Sequence, residues 1–317
     1  MKITYKKLFF LSILMLLLQN IQAQTEQDGI MMAKQNWCTG FVYNYNSWNH
    51  YWEGSFKRDN ANLGTVSTQS VAFMGAYGIT GKLNVLYSLP YVRTHASAGT
   101  LHDMEGLQDA GIWIKWQAWQ KKVQQQKYTV FLTGGYSFPT TNYQADFLPL
   151  AIGVRSKTAS LRLILDYQKK NFFVTSTAAY AYRDNIYIDR TAYYTTEMHY
   201  TNEVAMPNIM YAGIRFGYRK KEDYVEFMLV NTTTLGGFDI RKNDMPFPSN
   251  KMNTTIVGIN GKYAFPHFHR IALTSSVSYT VTGRNVGQAT NMAVGIFKVF
   301  DFASAKQKQI NHNQSTN

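Results

Sequence analysis

From Arg270 to Val281 the side chains alternate, with Ile271, Leu273, Val277, Tyr279 and Val281 on one face and Thr274, Ser276, Ser278 and Thr280 on the other. A period of two belongs to an extended strand, whose successive side chains point to opposite faces. The same split recurs at Met210–Arg219, where Met210, Ala212, Ile214, Phe216 and Tyr218 oppose Tyr211, Gly213, Arg215, Gly217 and Arg219. It recurs at Tyr128–Ser137, where Tyr128, Val130, Leu132 and Tyr136 oppose Thr129, Thr133 and Ser137. One face suits lipid and the other water.

Reading every such segment predicts about twelve strands, an even number as closed bacterial barrels have. They fall near 36–51, 64–76, 83–96, 107–119, 127–138, 148–167, 172–183, 203–219, 224–234, 251–263, 270–282 and 287–302. The segment 147–167 is long for one strand and is read as a strand with an extracellular extension or an inward-folded loop. Connections alternate short and long. Tyr77–Lys82, Gln120–Gln126, Gln168–Asn171, Lys220–Asp223 and Ala264–His269 are short, whereas Asp184–Asn202 and Leu235–Asn250 are long, as extracellular loops are. Aromatic residues gather beside the short turns, namely Trp37, Tyr77, Trp119, Tyr128, Tyr167, Phe172, Tyr218, Tyr224, Tyr263 and Phe265, and predict a membrane-interface girdle. The fold class expected is all-β, a transmembrane antiparallel up-and-down β-barrel with both ends in the periplasm. A water-soluble antiparallel sandwich also has period two, but it would bury more Leu, Ile and Val and carry fewer interfacial Tyr.

The N-terminus places this barrel. Lys2, Lys6 and Lys7 precede an apolar run from Leu8 to Leu18 and a polar stretch ending at Ala23, the layout of a secretory signal. The run is too short for a membrane helix, which takes about 20 apolar residues. The chain therefore divides into a signal peptide over 1–23, an outer-membrane barrel over 24–302 and a polar tail over 303–317. Removing the signal takes away three lysines and no acid, leaving +10 of the formal +13. Its basic residues are scattered through strands and turns, which speaks against nucleic acid as a partner. Cys38 is the single cysteine, so no intramolecular disulfide forms, and it reads as a small strand side chain.

On the polar faces the alternation places Lys115, Arg162, Asp166, Arg215, Glu226 and Lys262 inside the barrel, with Arg219 and Arg270 near its periplasmic rim. Such a wall is mixed but net positive, and charged rings of this kind set ion preference. Alternatively Arg215 and Glu226, nearly opposite across one turn, simply pair and fill space. In the outer loops, Tyr187, Arg190, Tyr193 and Tyr194 on one and Asp239, Arg241 and Asp244 on the other are candidate anchors for aromatic or anionic ligands. The plain alternative is a pair of self-packed loops guarding the mouth.

Catalytic patterns are thin. His50, His95, His102 and His199 fall on or beside the outer loops, and only His199 with Glu197 and Glu203 forms a cluster worth weighing for a barrel hydrolase. His267 and His269 are too few for a metal site. No glycine-rich loop opens a helix, so neither metal nor cofactor is expected.

Gly106–Lys115 (GLQDAGIWIK), Gly134–Tyr143 (GGYSFPTTNY) with Ala151–Gly153, and Gly283–Phe297 (GRNVGQATNMAVGIF) resemble the outer-membrane transporter family named for the meta-pathway of phenol degradation, grouped with fatty-acid and aromatic-hydrocarbon channels. The resemblance covers most of the mature chain. It implies energy-independent passage of small, often hydrophobic or aromatic compounds, and offers no catalytic residue. Two departures stand out: only a dozen or so residues precede the first strand, too few for a plugging N-terminal hatch domain, and the last strand ends at Phe302 ahead of a polar tail. The expected partners are outer-membrane lipid, the barrel-assembly machinery and a small solute, an aromatic carboxylate satisfying both the cationic lumen and the resemblance, with the protein a monomer. A barrel hydrolase and a closed surface-binding barrel are the competing readings.

Overall fold

The computed structural model describes residues 25–221, 223–242, 244–265 and 270–302. The predicted signal peptide, the tail over 303–317 and the histidines His267 and His269 lie outside them. Twelve long strands build the wall: β1 (Asn36–Trp48), β2 (Val66–Thr80), β3 (Leu83–Ala96), β4 (Asp109–Val123), β5 (Gln126–Pro139), β6 (Thr158–Lys169), β7 (Phe172–Arg183), β8 (Ile209–Lys220), β9 (Asp223–Thr234), β10 (Asn253–Ala264), β11 (Ile271–Arg284) and β12 (Thr290–Asp301). Each pairs antiparallel with the next, and β12 returns to β1 in a register from Asn36 opposite Asp301 to Ser47 opposite Thr290, so the sheet closes and leaves no edge.

The predicted alternation decides which face is which. Ile112, Ile114 and Trp116 on β4, Leu161, Leu163 and Leu165 on β6, and Ile214, Phe216 and Tyr218 on β8 all point outward and are exposed. A water-soluble sandwich would bury such rows, whereas a closed barrel with an apolar outer belt is stable in a bilayer. A bulge between Gln117 and Trp119 shifts the parity of β4, which brings Trp119 onto the outer face with Trp116.

Most differences from the sequence reading lie at strand ends. β2 and β4 run further toward the periplasm, to Thr80 and Val123, because their turns are tighter than expected. The segment 148–167 is not one strand: β6 begins at Thr158, and the residues before it fold inward. Residues 203–208 likewise precede β8, with Glu203–Val204 pairing to Ile186–Tyr187 in the outer loop. Tyr224 leaves the expected girdle, since its neighbours Val225 and Phe227 take the outward positions of β9 and Tyr224 lines the lumen.

Candidate channel lumen and outer mouth

Lys115 stands in the apolar run Ile112–Trp116 and points into the barrel, where it is fully buried. An ammonium has three N–H donors, and taking it out of water is costly unless all are filled. Here Nζ donates to the Asp28 carboxylate at 2.8 Å, the Asp28 carbonyl at 2.6 Å and the Thr25 carbonyl at 3.1 Å. The same Asp28 carboxylate accepts from the Thr25 amide and hydroxyl and from the Ile30 amide, which curls the segment into a compact cap. Gln27 adds a second anchor, its Oε1 accepting from Tyr211 Oη at 2.8 Å and from Arg215 at 2.6 Å. Gly29 lies so close to Asp166 that a Cβ there would strike the carboxylate. Residues 25–32 thus lie inside the barrel, and Gln35 bonds to the strand ends at Gly78 and Phe302. The dozen residues considered too few for a plug are enough to occlude part of the barrel, because one buried lysine and one arginine supply the attachment points.

The predicted lumenal charges all face inward, and most are engaged. Arg215 pairs with Glu226 at 3.3 Å, which is the pairing alternative, and Asn260 also donates to Glu226. Arg219 pairs with Asp166 at 3.4 Å while lying over the Phe173 ring, and Thr175 donates to the same carboxylate. Arg219, next to the last residue of β8 and bonded through its amide to the Asn171 carbonyl of a neighbouring short turn, is buried inside the barrel at its periplasmic end. Arg162 stacks on the Tyr211 ring at 4.6 Å. Lys262 is buried in the wall of β10. Counting Glu26 and Asp28 with Asp166 and Glu226, four carboxylates face the five cations Lys115, Arg162, Arg215, Arg219 and Lys262, so the balance is only slightly positive. Arg162 Nη1 and Arg215 Nε are buried donors without a protein acceptor.

Beside the N-terminal segment lies a cavity of about 560 Å³. Val42, Met74, Met228 and Ile256 give it apolar walls, and Tyr211, Arg215, Asn260 and Ser276 give it a polar side. Apolar and polar side chains are interleaved in this lining, Met228 lying beside Arg215 in register and in contact with Asn260.

The outer mouth is narrowed by residues 140–157, which fold into it. Leu150 and Ile152 are buried, Leu150 packing with Leu63 and Val66 and Ile152 with Val92 and Tyr143, and Thr94 of β3 donates to the Leu150 carbonyl at 2.6 Å. Tyr143 fastens this loop: its hydroxyl donates to Asp109 and accepts from the Arg155 amide, both at 2.6 Å. Burial, helped by the Asp109 carboxylate, holds the Tyr143 phenol above its usual pKa, so it stays a donor.

The family-like glycines make room for aromatic rings around this mouth. A Cβ on Gly111 or Gly135 would collide with the Trp113 indole, one on Gly153 with Tyr143, one on Gly283 with Trp52 and one on Gly287 with Trp48. In the turn after β11, buried Asn285 binds three loops. Its Oδ1 accepts from the Gly54 amide at 2.7 Å and the Ile240 amide at 3.1 Å, and its Nδ2 donates to Asp239 and to the Lys251 carbonyl.

The loop candidates pack on one another, as the self-packed alternative requires. Asp239 is clasped by Arg284, whose guanidinium, with Asn285, holds that carboxyl below its usual pKa. Arg241 lies over Tyr194 at 4.5 Å and donates to its hydroxyl. Tyr193 stacks between His199 and Phe247. Arg190 pairs with Asp146 at 2.7 Å, so it fastens the inward loop. Tyr187 and Asp244 remain exposed. The His199 cluster does not assemble: its Nε2 meets Thr195 Oγ1 at 2.8 Å, while Glu203 accepts from Asn185. Asp28, Gln27, Asn285 and Tyr143 were missed by sequence reading. The one available signal was Lys115 itself, a lysine in an apolar strand that demands an acceptor from elsewhere.

No family model matches the chain, and no curated protein does. Among solved structures it resembles an outer-membrane channel from Pseudomonas putida F1, with a TM-score of 0.69 at 14% identity over 87% of this chain and 100% of that one. More distant are the translocator domain of the autotransporter NalP from Neisseria meningitidis, with a TM-score of 0.45 at 9% identity over 87% and 91% of the two chains, and the monoaromatic hydrocarbon channel TodX, with 0.39 at 11% identity over 86% and 91%. Closed sheet, apolar outer belt and this likeness define the class: an outer-membrane β-barrel of twelve strands.

Proposed function

We propose that the protein is a passive outer-membrane channel for a small solute with an apolar or aromatic body, aromatic carboxylates included. The observation that carries this reading is the lumenal cavity of mixed apolar and polar lining, at about 560 Å³ within the size range of small-molecule sites. Apolar lining suits a ring, and Arg215, which lines the cavity and whose Nε has no protein acceptor, suits a carboxylate. Because the carboxylates neutralise much of the cationic lining, the preference for anions is mild rather than that of an open charged ring. The likeness to an outer-membrane channel adds support.

Uptake into proteoliposomes of benzoate and of benzylammonium, rings of similar size and opposite charge, tests the reading. Benzoate is expected to enter several-fold faster, and the advantage to shrink in Arg215→Gln. Equal entry of both ions would remove the charge argument. Entry of neither would favour the second reading, a closed surface-binding barrel, which the two inserted segments support.

A further inference from the structure

The periplasmic end of the barrel is strongly basic. Lys82, Lys121, Lys122, Lys169, Lys170 and Lys220 stand exposed on its short turns. Among the described residues, the rim carboxylates Asp223 and Asp301 are half-buried and engaged, by the Ala264 amide at 2.8 Å and by Arg270 at 3.1 Å. Just above the turn that joins β8 to β9, the outward wall is indented by a groove of about 460 Å³ between Tyr218, Val225, Tyr263 and Leu273, with Lys220 and Asp223 at its periplasmic end.

Its floor is Gly261, paired with Ser275 across β10 and β11. A Cβ on Gly261 would meet no atom nearer than 3.7 Å. This glycine therefore differs from Gly111 or Gly135, whose missing side chains are replaced by a neighbouring ring. Here the space is left to the membrane. Tyr218 and Tyr263 mark the level of the interface, so the groove begins at the headgroups and runs into the acyl layer.

We propose that this groove is a fixed site for one glycerophospholipid of the periplasmic leaflet, with an acyl chain lying over Gly261 and Ser275 and the phosphate beside the Lys220 ammonium. The apolar walls exclude a free phosphate as the sole occupant, since they would stay unfilled. A lysine on a basic rim supplies the point charge that draws phosphate to that end. The site is separate from the lumen and does not depend on what the channel carries.

Native mass spectrometry of the delipidated full chain, titrated with dioleoyl phosphatidylglycerol and with dioleoylglycerol, tests it. One phosphatidylglycerol is expected to be retained per barrel in preference to dioleoylglycerol. Gly261→Leu, whose Cβ meets no atom nearer than 3.7 Å and whose side chain takes up space in the groove, is expected to weaken retention at least about tenfold, a loss of roughly 1.4 kcal/mol. Lys220→Gln should weaken it several-fold, and Lys121→Gln, which removes one charge elsewhere on the rim, should leave it unchanged. Ser275→Phe closes the groove from the neighbouring strand and replaces Gly261→Leu if that variant does not fold. Full retention by the groove-filled variant, an equal loss in Lys121→Gln, or equal binding of dioleoylglycerol would each overturn the proposal.

Discussion

Asn285 adopts a left-handed backbone conformation, φ 53°, which asparagine tolerates better than most residues. That turn aims its amide at the Gly54 and Ile240 amides, at Asp239 and at the Lys251 carbonyl. Replacing it with alanine leaves a buried amide without an acceptor, at about 1–3 kcal/mol for each group left unpaired. Asn285→Ala is therefore expected to speed tryptic cleavage at Arg241 and Lys242 several-fold while the barrel itself stays folded. Unchanged cleavage would mean that the loops hold without it. Asp239, in the same knot, gives the mouth its pH response. Its folded pKa is depressed by Arg284, so its contribution is fully present above the ordinary carboxylate value near 3.9 and is lost as pH falls through the lower folded value. Hydrogen exchange at the Gly54 and Ile240 amides, taken relative to the intrinsic rate at each pH, should stay slow from neutral pH to about 4 and quicken only below it. A rise already near pH 6 would place the control elsewhere.

At the scale of elements, period two was enough to locate the strands and their faces, since each β-residue reports its own side of the sheet. What occupies those faces was not legible. The stretches around Gly111, Gly135 and Gly153 drew attention as short glycine motifs, yet nothing in their spacing says that Trp113 or Tyr143 fills the space they leave. A ring's direction depends on its rotamer and on the strand beside it. The structure turns this into a prediction: Gly135→Leu forces Trp113 off its seat, an overpacking cost of about 1–3 kcal/mol, and Trp113→Ala in the same chain should recover most of it. Urea unfolding in detergent micelles reads both, and additive losses would show that the two positions do not share one space. Tyr224 carries the related lesson. Proximity to a short turn suggested the girdle, but strand parity, fixed by Val225 and Phe227, sends it inward.

For the whole molecule, closure could be anticipated because strand count and loop lengths are summed over many residues. Occlusion could not, because the contact of Asp28 with Lys115 spans 87 residues and that of Gln27 with Arg215 spans 188, and neither leaves a periodic trace. The closed sheet encloses a lumen, and the N-terminal segment fills part of it. How firmly the segment is held rests on the Lys115 pair. Breaking a buried ion pair from one side costs about 3–5 kcal/mol, since the remaining charge stays desolvated, whereas replacing both partners by apolar groups is often neutral. A short segment held otherwise by Gln27, by Met32 packed against Cys38, Ala272 and Phe297, and by backbone bonds does not offset that loss in place, but its first residues can escape it by leaving the lumen, where Lys115 then meets water. Asp28→Ala is thus expected to raise single-channel conductance several-fold over the native protein, while Asp28→Ala combined with Lys115→Met returns toward native conductance, because no stranded charge drives the segment out. Equal conductance in all three proteins would mean that the segment is held by something other than this pair.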